Sequence, residues 1–301
     1  MTAATTMKLT AIFVAAAGWL YAQQGEIHVL PVQGNVYMLV GDGANVTVQV
    51  GKDGVLVVDT QSAAAAPKIM AAIRQLSDQP ILWMINTTID EDHMGGNEAL
   101  SLPAGNQGQK PRVIAHEKAL SRLITPPAGT APRFAEASTL NDTYFLPKKD
   151  FLFNGEAVVV EHVASAHTDG DSMVFFRRSD VLSTGDIFTP GRYPVIDLAN
   201  GGNVQGIIDG LNRIIEITVP GKYQEGGTFV IPGHGRLCDE ADVVEYRDMV
   251  TIIRDRVRDM INKGMTLAQV KAAKPSRDYD TEYTGSPDVF VEAVFGSLRK
   301  P

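Results

Sequence analysis

The chain has 301 residues and a formal net charge of −8, with 44% hydrophobic and 21% charged residues. This composition is ordinary for a globular protein with one large core. An acidic chain without a cluster of lysines and arginines is a poor candidate for binding nucleic acid or an anionic membrane. The single cysteine, Cys238, excludes a disulfide within the chain.

The first 22 residues differ in composition from the rest of the chain. Lys8 is their only charged residue, and it precedes the apolar run LTAIFVAAAGWLYA. This run is too short to cross a bilayer core of about 30 Å as a helix. Together with the small residue Ala22 before QQGE, it predicts a secretory signal over 1–22 and a periplasmic or secreted protein without a stable membrane anchor. The alternative is a buried or disordered N-terminal helix. No linker interrupts residues 23–301, which predict a single domain.

The first half of this domain alternates between strand and helix patterns. Short β-rich runs come first, separated by turn residues that indicate hairpins: EIHVL, NVYMLV, NVTVQV and GVLVVDT. A helix is predicted within AAAAPKIMAAIRQL, followed by a buried strand in PILWMINT. RVIAH and EKALSRLI predict a further strand and helix, and the Pro/Gly-rich loop TPPAGTAPRF closes this half.

The second half repeats the same order and then becomes helical. Strands are predicted in EAVVVEHVASA, SMVFFRR, VLSTGD and GTFVIPGHG, with the amphipathic helix VQGIIDGLNRIIEI before the last of them. The C-terminal helices are EADVVEYRDMVTIIRDRVRDMINKG, TLAQVKAA and PDVFVEAVFGSL. Two half-domains of mixed sheet, each covered by helices, fit this order.

Four polar clusters each follow a predicted strand. They are TIDEDHMGG (88–96), HTDGDS (167–172), STGD (183–186) and PGHG (232–235). Each contains His or Asp and has glycine at or beside the turn, where it lets a side chain point off the end of a sheet. Imidazole and carboxylate groups together are the ligands that suit zinc, iron or manganese. The sequence therefore predicts one convergent site, with the acids of the first cluster on a loop.

These clusters, in their order and spacing, resemble the metallo-β-lactamase superfamily. Its signature is His-x-His-x-Asp-His, often preceded by Asn-Thr and followed by x-Gly-Gly-Asn. The matching positions are Asn86, Thr87, Asp92, His93, Gly95, Gly96 and Asn97. The resemblance covers about residues 27–262. It implies an α+β fold, a four-layer αββα sandwich of two mixed β-sheets flanked by helices, with the site at one edge.

The resemblance also implies metal ligands and two departures from the family pattern. One ion would be held by Asp92, His93, His234 and Asp186. The other would have Asp186 and His167, with Asp90 as a possible third ligand. Thr88 and Asp90 stand where the family has its first two histidines, so the second ion is in question. Zinc, as one or two ions, is the expected cofactor, with iron or manganese as alternatives. Outside the clusters, packing or surface positions are expected for His28, His116 and His162.

The function that this pattern favours is a secreted metal-dependent hydrolase of a small molecule. A metal-bound hydroxide would attack an ester, thioester, lactone, lactam or phosphodiester. Asp92 or Asp90 is the expected catalytic carboxylate. Tyr193 and Asn203 are expected substrate contacts, because their segment follows Asp186 and could overhang the site. The alternatives are a protein of the same fold that binds a metal or ligand without turnover, and a scaffold without metal.

Overall fold

The first of two β-sheets contains the strands of the N-terminal half. A computed structural model describes residues 25–102, 105–224 and 226–299, so the predicted signal at 1–22 lies outside the described residues. The sheet has seven strands in the order β1 to β7. Their bounds are β1 (His28–Gln33), β2 (Val36–Val40), β3 (Val46–Gly51), β4 (Gly54–Val58), β5 (Ile81–Ile85), β6 (Arg112–His116) and β7 (Asp142–Tyr144).

Strand direction in this sheet changes at β4. Strands β1 to β4 pair antiparallel, whereas β4 to β7 pair parallel. Every residue of β4 is buried, as expected for a central strand covered on both faces. The carboxyl ends of β4 to β7 therefore meet at one edge of the sheet, where binding sites of parallel sheets commonly lie.

The second sheet has five strands in the order β12-β11-β10-β9-β8. Its strands pair antiparallel except for β11 and β12. Along β9, buried and half-buried residues largely alternate, as expected when side chains point to opposite faces. The bounds are β8 (Lys148–Phe153), β9 (Glu156–Val163), β10 (Asp171–Phe176), β11 (Val181–Ser183) and β12 (Phe229–Ile231).

Helices cover the outer face of each sheet. In the first half they are α1 (Ala66–Leu76), α2 (Glu91–Met94), α3 (Asn97–Leu100), α4 (Glu117–Ile124) and α5 (Phe134–Ala137). In the second half they are α6 (Val204–Ile217), α7 (Glu240–Asn262), α8 (Leu267–Ala273) and α9 (Pro287–Arg299), after a 3₁₀ turn at Gly185–Ile187. Of the helices within the described ranges, none is both long enough and apolar enough to cross a membrane.

Three hydrophobic clusters join these layers. One lies between the sheets and contains residues of both, such as Ile85 and Phe176. A second joins the first sheet to α1 and α4. The third joins the second sheet to α6, α7 and α9, with the fully buried Tyr246 among its members. The predicted αββα sandwich of two mixed sheets is confirmed. One local expectation is corrected: the first polar cluster is not all loop, since Glu91–Met94 forms one helical turn after Asp90.

His116, at the end of β6, stacks on His162 of β9 with ring centroids 3.6 Å apart. His116 is 3% exposed, and its Nδ1 accepts a hydrogen bond from the Lys118 amide. Burial, followed by the proximity of His162 and Lys118, lowers the pKa of His116 to about 4. The folded protein therefore favours a neutral imidazole at this position.

We expect this histidine to make stability depend on pH. An unfolded histidine titrates near pKa 6.5, so between about pH 6.5 and pH 4 the unfolded chain binds a proton that the folded chain does not. The contribution of His116 to the unfolding free energy is complete above about pH 6.5 and is lost as the pH falls to about 4, by about 3 kcal/mol. Urea unfolding near pH 7 and pH 5 should show a smaller loss for His116→Gln than for the unchanged protein. Equal losses would contradict the assignment.

Candidate metal centre

The six predicted ligands converge at one edge of the sandwich, where loops from both sheets meet. The loop and helical turn after β5 contribute three of them, and the second sheet contributes the others. They form two groups, and within each group the ligand atoms lie within 4.8 Å of one another: Asp92, His93 and His234, and Asp90, His167 and Asp186. Asp186 Oδ1 also faces both imidazoles of the first group, so Asp186 is counted with both groups below.

The first group surrounds a space of the size that an ion needs. His93 Nε2 lies 3.3 Å from Asp186 Oδ1. His234 Nε2 lies 3.2 Å from Asp92 Oδ2 and 3.6 Å from Asp186 Oδ1. Four ligands about 2.0–2.1 Å from a tetrahedral zinc ion are about 3.3–3.4 Å apart. These residues therefore fit a bound cation.

Two atoms of this group are buried without a hydrogen-bond partner in the described part of the chain. They are His93 Nε2 and Asp186 Oδ1. Buried polar atoms are nearly always paired, so two unpaired atoms that face each other need an explanation. A cation between them would satisfy both.

Asp59 fixes the orientation of the His93 ring through Nδ1, the ring nitrogen that does not face Asp186. Its Oδ2 lies 2.8 Å from His93 Nδ1, and its two oxygens accept hydrogen bonds from the amide and hydroxyl of Thr87. This leaves the other ring nitrogen of His93, Nε2, facing Asp186. Asp59 is 2% exposed and has a φ of 61°, a left-handed conformation that is uncommon outside glycine. Sequence reasoning missed this role. The available signal was an aspartate directly after the fully buried strand β4.

The charges of the first group depend on one another. Burial opposes ionisation of Asp186, but the nearby imidazoles, His93 foremost, hold the pKa of its carboxyl well below the usual range. Burial likewise opposes protonation of His93, but Asp186 and Asp59 raise the pKa of the imidazole. The hydrogen bond from His234 lowers the pKa of Asp92. Metal ligation requires neutral imidazole, so a bound cation would take the place of these protons.

The second group is built differently. His167 Nε2 lies 2.8 Å from Asp90 Oδ2, and its Nδ1 lies 2.8 Å from the Val195 carbonyl oxygen. Burial opposes protonation of His167, but the hydrogen bond to Asp90 raises the pKa of the imidazole to about 10. The Thr88 hydroxyl oxygen is buried without a hydrogen-bond partner in the described ranges.

The two expected substrate contacts have contacts of their own. Tyr193 is 5% exposed, stacks on Phe290 and donates a hydrogen bond from its hydroxyl to Asp280. Asn203 is the N-cap of α6, and its side chain accepts a hydrogen bond from the Gln205 amide. The structure thus gives both residues packing or capping roles. That either contacts substrate stays a prediction.

Two glycines allow close approaches around the ligands. A Cβ on Gly233 would lie 2.1 Å from Asp186 Oδ1, so the turn between β12 and His234 can pass Asp186 only with glycine there. A Cβ on Gly206 would lie 1.9 Å from the Ser165 carbonyl oxygen. Helix α6 therefore packs directly on the backbone just before His167.

The fold and the site together define a class of protein. Two layered mixed sheets bring three histidines and three aspartates to one edge, which is a hydrolase-like fold with candidate metal ligands. The model of the metallo-beta-lactamase superfamily matches residues 31–234, more than half of the chain. The chain belongs to this superfamily. No curated protein matches the sequence.

Solved structures share the fold at low sequence identity. The sec-alkylsulfatase Pisa1 from Pseudomonas sp. has a TM-score of 0.65 and 16% identity, and the alignment covers 89% of this chain and 50% of that one. A double mutant of the same sulfatase gives a TM-score of 0.67 and 18% identity over 89% and 50% of the two chains. The metallo-beta-lactamase from Pontibacter korlensis gives 0.57 and 16%, over 75% of this chain and 99% of that one. This chain therefore spans about half the length of the sulfatase.

Replacing Asp59 with asparagine should weaken metal binding about 10- to 100-fold, because outer partners of ligating histidines contribute this much. The amide group of asparagine can accept hydrogen bonds on its oxygen only, so it cannot serve both Thr87 and His93. Competition with a chromophoric chelator measures the dissociation constant. The exposed Asp150→Asn is the matched control and should leave it unchanged. Equal affinities for Asp59→Asn and the control would contradict the role of Asp59.

Proposed function

We propose that this protein is a metal-dependent hydrolase of small molecules and that the first group of ligands is its reaction centre. The observation that carries the proposal is the pair His93 Nε2 and Asp186 Oδ1, buried, unpartnered and 3.3 Å apart. Two buried atoms this close need a proton or a cation between them, and His234 and Asp92 beside them complete a ligand set for a cation. The membership of a superfamily with hydrolase-like fold supports the same conclusion.

Asp92, His93 and His234 would hold the ion together with Asp186, whose Oδ1 faces both imidazoles. Zinc is the first candidate, since two imidazoles and two carboxylates suit it, and iron or manganese are the alternatives. A bound divalent ion supplies a water of lowered pKa and polarises an oxygen of the substrate.

The residues of the chain have separate tasks in this proposal. Asp59 fixes the orientation of His93, so that its Nε2 is presented to the ion. The carboxylates of Asp92 and Asp90, 43% and 36% exposed, are the groups of the site that can accept a proton from water. Of these, Asp92 also contacts the His234 imidazole.

The substrate is proposed as a class. Esters, thioesters, lactones, lactams and phosphodiesters are the bonds that such a centre can hydrolyse. These compounds form the panel of substrates to be tested. Sulfate esters are added to it because the sec-alkylsulfatase alignment covers 89% of this chain, against 75% for the lactamase. We also propose a periplasmic or secreted location, supported by the pattern of residues 1–22.

A second candidate function is metal or ligand binding without turnover. The observation that favours it is Thr88, a buried neutral hydroxyl two positions before Asp90 in the sequence, where the family has its first histidine. Bound metal without hydrolysis of any compound in the panel would support this function over the first.

Removing the metal should abolish hydrolysis, and adding it back should restore it. Protein purified without added metal is analysed for bound zinc, iron and manganese, then dialysed against a chelator and tested on the substrate panel. His93→Ala should lose both the metal and the activity, whereas His28→Ala, which changes an exposed imidazole of β1, should keep both. Full activity of metal-free protein would overturn the proposal.

A further inference from the structure

We infer that the outer face of the second sheet carries a binding site for a fatty-acid-like molecule, an alkyl chain with a carboxylate head, apart from the metal centre. The site is a cavity of about 320 Å³ beside the last turns of α6. This volume lies within the range of about 300–1,000 Å³ that is usual for small-molecule sites. The inference does not depend on the proposed function.

The floor of the cavity is apolar. It is formed by side chains of β9, β10, β11 and α6: Val159, Met173, Phe175, Leu182 and Ile217. In the pairing of the strands, Phe175 lies beside both Val159 and Leu182, so these three residues share one face of the sheet. Val159 and Phe175 are only half-buried, so α6 leaves this part of the face partly uncovered. An alkyl chain lying there would remove this apolar surface from water.

The charged side chains that line the cavity are mostly cationic. They are Lys148, Arg177, Arg213 and Glu161, with a formal sum of +2. The Glu161 carboxylate lies 2.9 Å from Lys148 Nζ and 2.7 Å from Arg213 Nε. Burial opposes ionisation of Glu161, but these two cations lower the pKa of its carboxyl. Arg213 also pairs with Glu216. Lys148 and Arg213 are therefore already matched by acids of the chain.

Arg177 is the cation that remains for a ligand. Its side chain is exposed, and its guanidinium forms neither a hydrogen bond nor an ion pair with any residue of the ranges that the structure describes. Its amide donates a hydrogen bond to the Ala157 carbonyl oxygen, which fixes its backbone at the end of β10. The planar guanidinium matches a carboxylate through two parallel hydrogen bonds. The head of the ligand therefore binds Arg177, and the chain lies along Phe175 and Val159.

The cavity lies away from the metal ligands. Strand β10 begins at Asp171, four residues after His167, and Arg177 follows directly after its last residue, Phe176. Arg177 is thus six positions after Asp171, and at about 3.3–3.4 Å per residue the two are about 20 Å apart. A carboxylate held by Arg177 is therefore not bound to an ion of the centre.

Calorimetric titration of the full protein with decanoate tests this site. We expect a dissociation constant of about 1 mM or less, which is usual for a ligand of this size. Acetate has the head without the chain, and decyltrimethylammonium has the chain with a cationic head. Each should bind at least about tenfold more weakly than decanoate, because each lacks one of the two contacts.

Three variants locate the bound decanoate. Arg177→Gln should weaken its binding by at least about tenfold, the effect of losing one hydrogen bond between charged groups. Arg178→Gln is the matched control: it removes the same charge from the next residue, which does not line the cavity, and should leave the affinity unchanged. His93→Ala, which alters the metal centre, should also bind decanoate as the original does. Circular dichroism checks that each variant has folded.

Equal affinities of Arg177→Gln and Arg178→Gln for decanoate would overturn the inference, as would the absence of any binding. Loss of binding in His93→Ala would overturn it too, because decanoate would then occupy the metal centre. Sedimentation velocity examines a second copy of the chain as the occupant. A dimer that Arg177→Gln converts to single chains would mean that the partner covers the cavity, and the inference would be wrong. The proposed hydrolase is tested separately by metal removal, and it stands or falls independently of these results.

Discussion

Replacing Asp186 with asparagine should lower kcat/KM by more than about 100-fold, since loss of an outer hydrogen-bond partner alone costs 10- to 100-fold. The Asp186 carboxylate lies 3.3 Å from His93 Nε2 and 3.6 Å from His234 Nε2, so it contacts both imidazoles of the first group. Asp92 contacts the His234 imidazole as well. Asparagine has nearly the same shape but no charge. The expected loss therefore reports the charge and not the packing.

Steady-state hydrolysis and bound-metal analysis check this result together. Asp209→Asn, on the exposed face of α6, makes the same chemical change away from the centre and should leave both measurements unchanged. An Asp186→Asn protein that retains a full equivalent of metal and at least half of the activity would show that this carboxylate is not a ligand.

Gly206→Ala should destabilise the folded protein by about 3 kcal/mol, at the upper end of the usual cost of overpacking. In an exposed helix the same change would stabilise by about 1 kcal/mol. Here the new Cβ would lie 1.9 Å from the Ser165 carbonyl oxygen and 2.4 Å from its carbon, and backbone atoms cannot rotate away. Helix α6 would have to move off the segment that precedes His167.

Urea unfolding at neutral pH measures this difference. Asp209→Ala is the control. Asp209 is exposed and lies three residues further along the same helix, so this change should alter the unfolding free energy by less than about 0.5 kcal/mol. A Gly206→Ala protein as stable as the original would mean that α6 does not approach the Ser165 backbone so closely.

Much of the fold could be predicted from local patterns in the sequence. The stretch VQGIIDGLNRIIEI, whose apolar residues repeat with the period of a helix, coincides with α6 (Val204–Ile217). The buried strand in PILWMINT and the acids directly after it are also where the sequence predicted. These features depend on residues that are close in sequence, so one chain is enough to predict them.

Long-range contacts were harder to predict. Asp59 and His93 are 34 positions apart, and they meet because β4 and β5 are neighbours. Asp90 and His167 are 77 positions apart and come from different sheets, so their hydrogen bond has no local signature. The loop containing Tyr193 was expected over the site, but its aromatic ring packs under Phe290 of the C-terminal helix α9, which no nearby residue pattern indicated.

The ligands of the first group come from both halves of the sandwich, with Asp92 and His93 following β5 and with Asp186 and His234 following β11 and β12. An ion bound there acts as a cross-link between the two layers. Because it binds the folded chain and not the unfolded one, free metal at about 100 times its dissociation constant adds about 2.7 kcal/mol to the unfolding free energy. The melting temperature of this protein would then serve as a gauge of how much metal its surroundings contain.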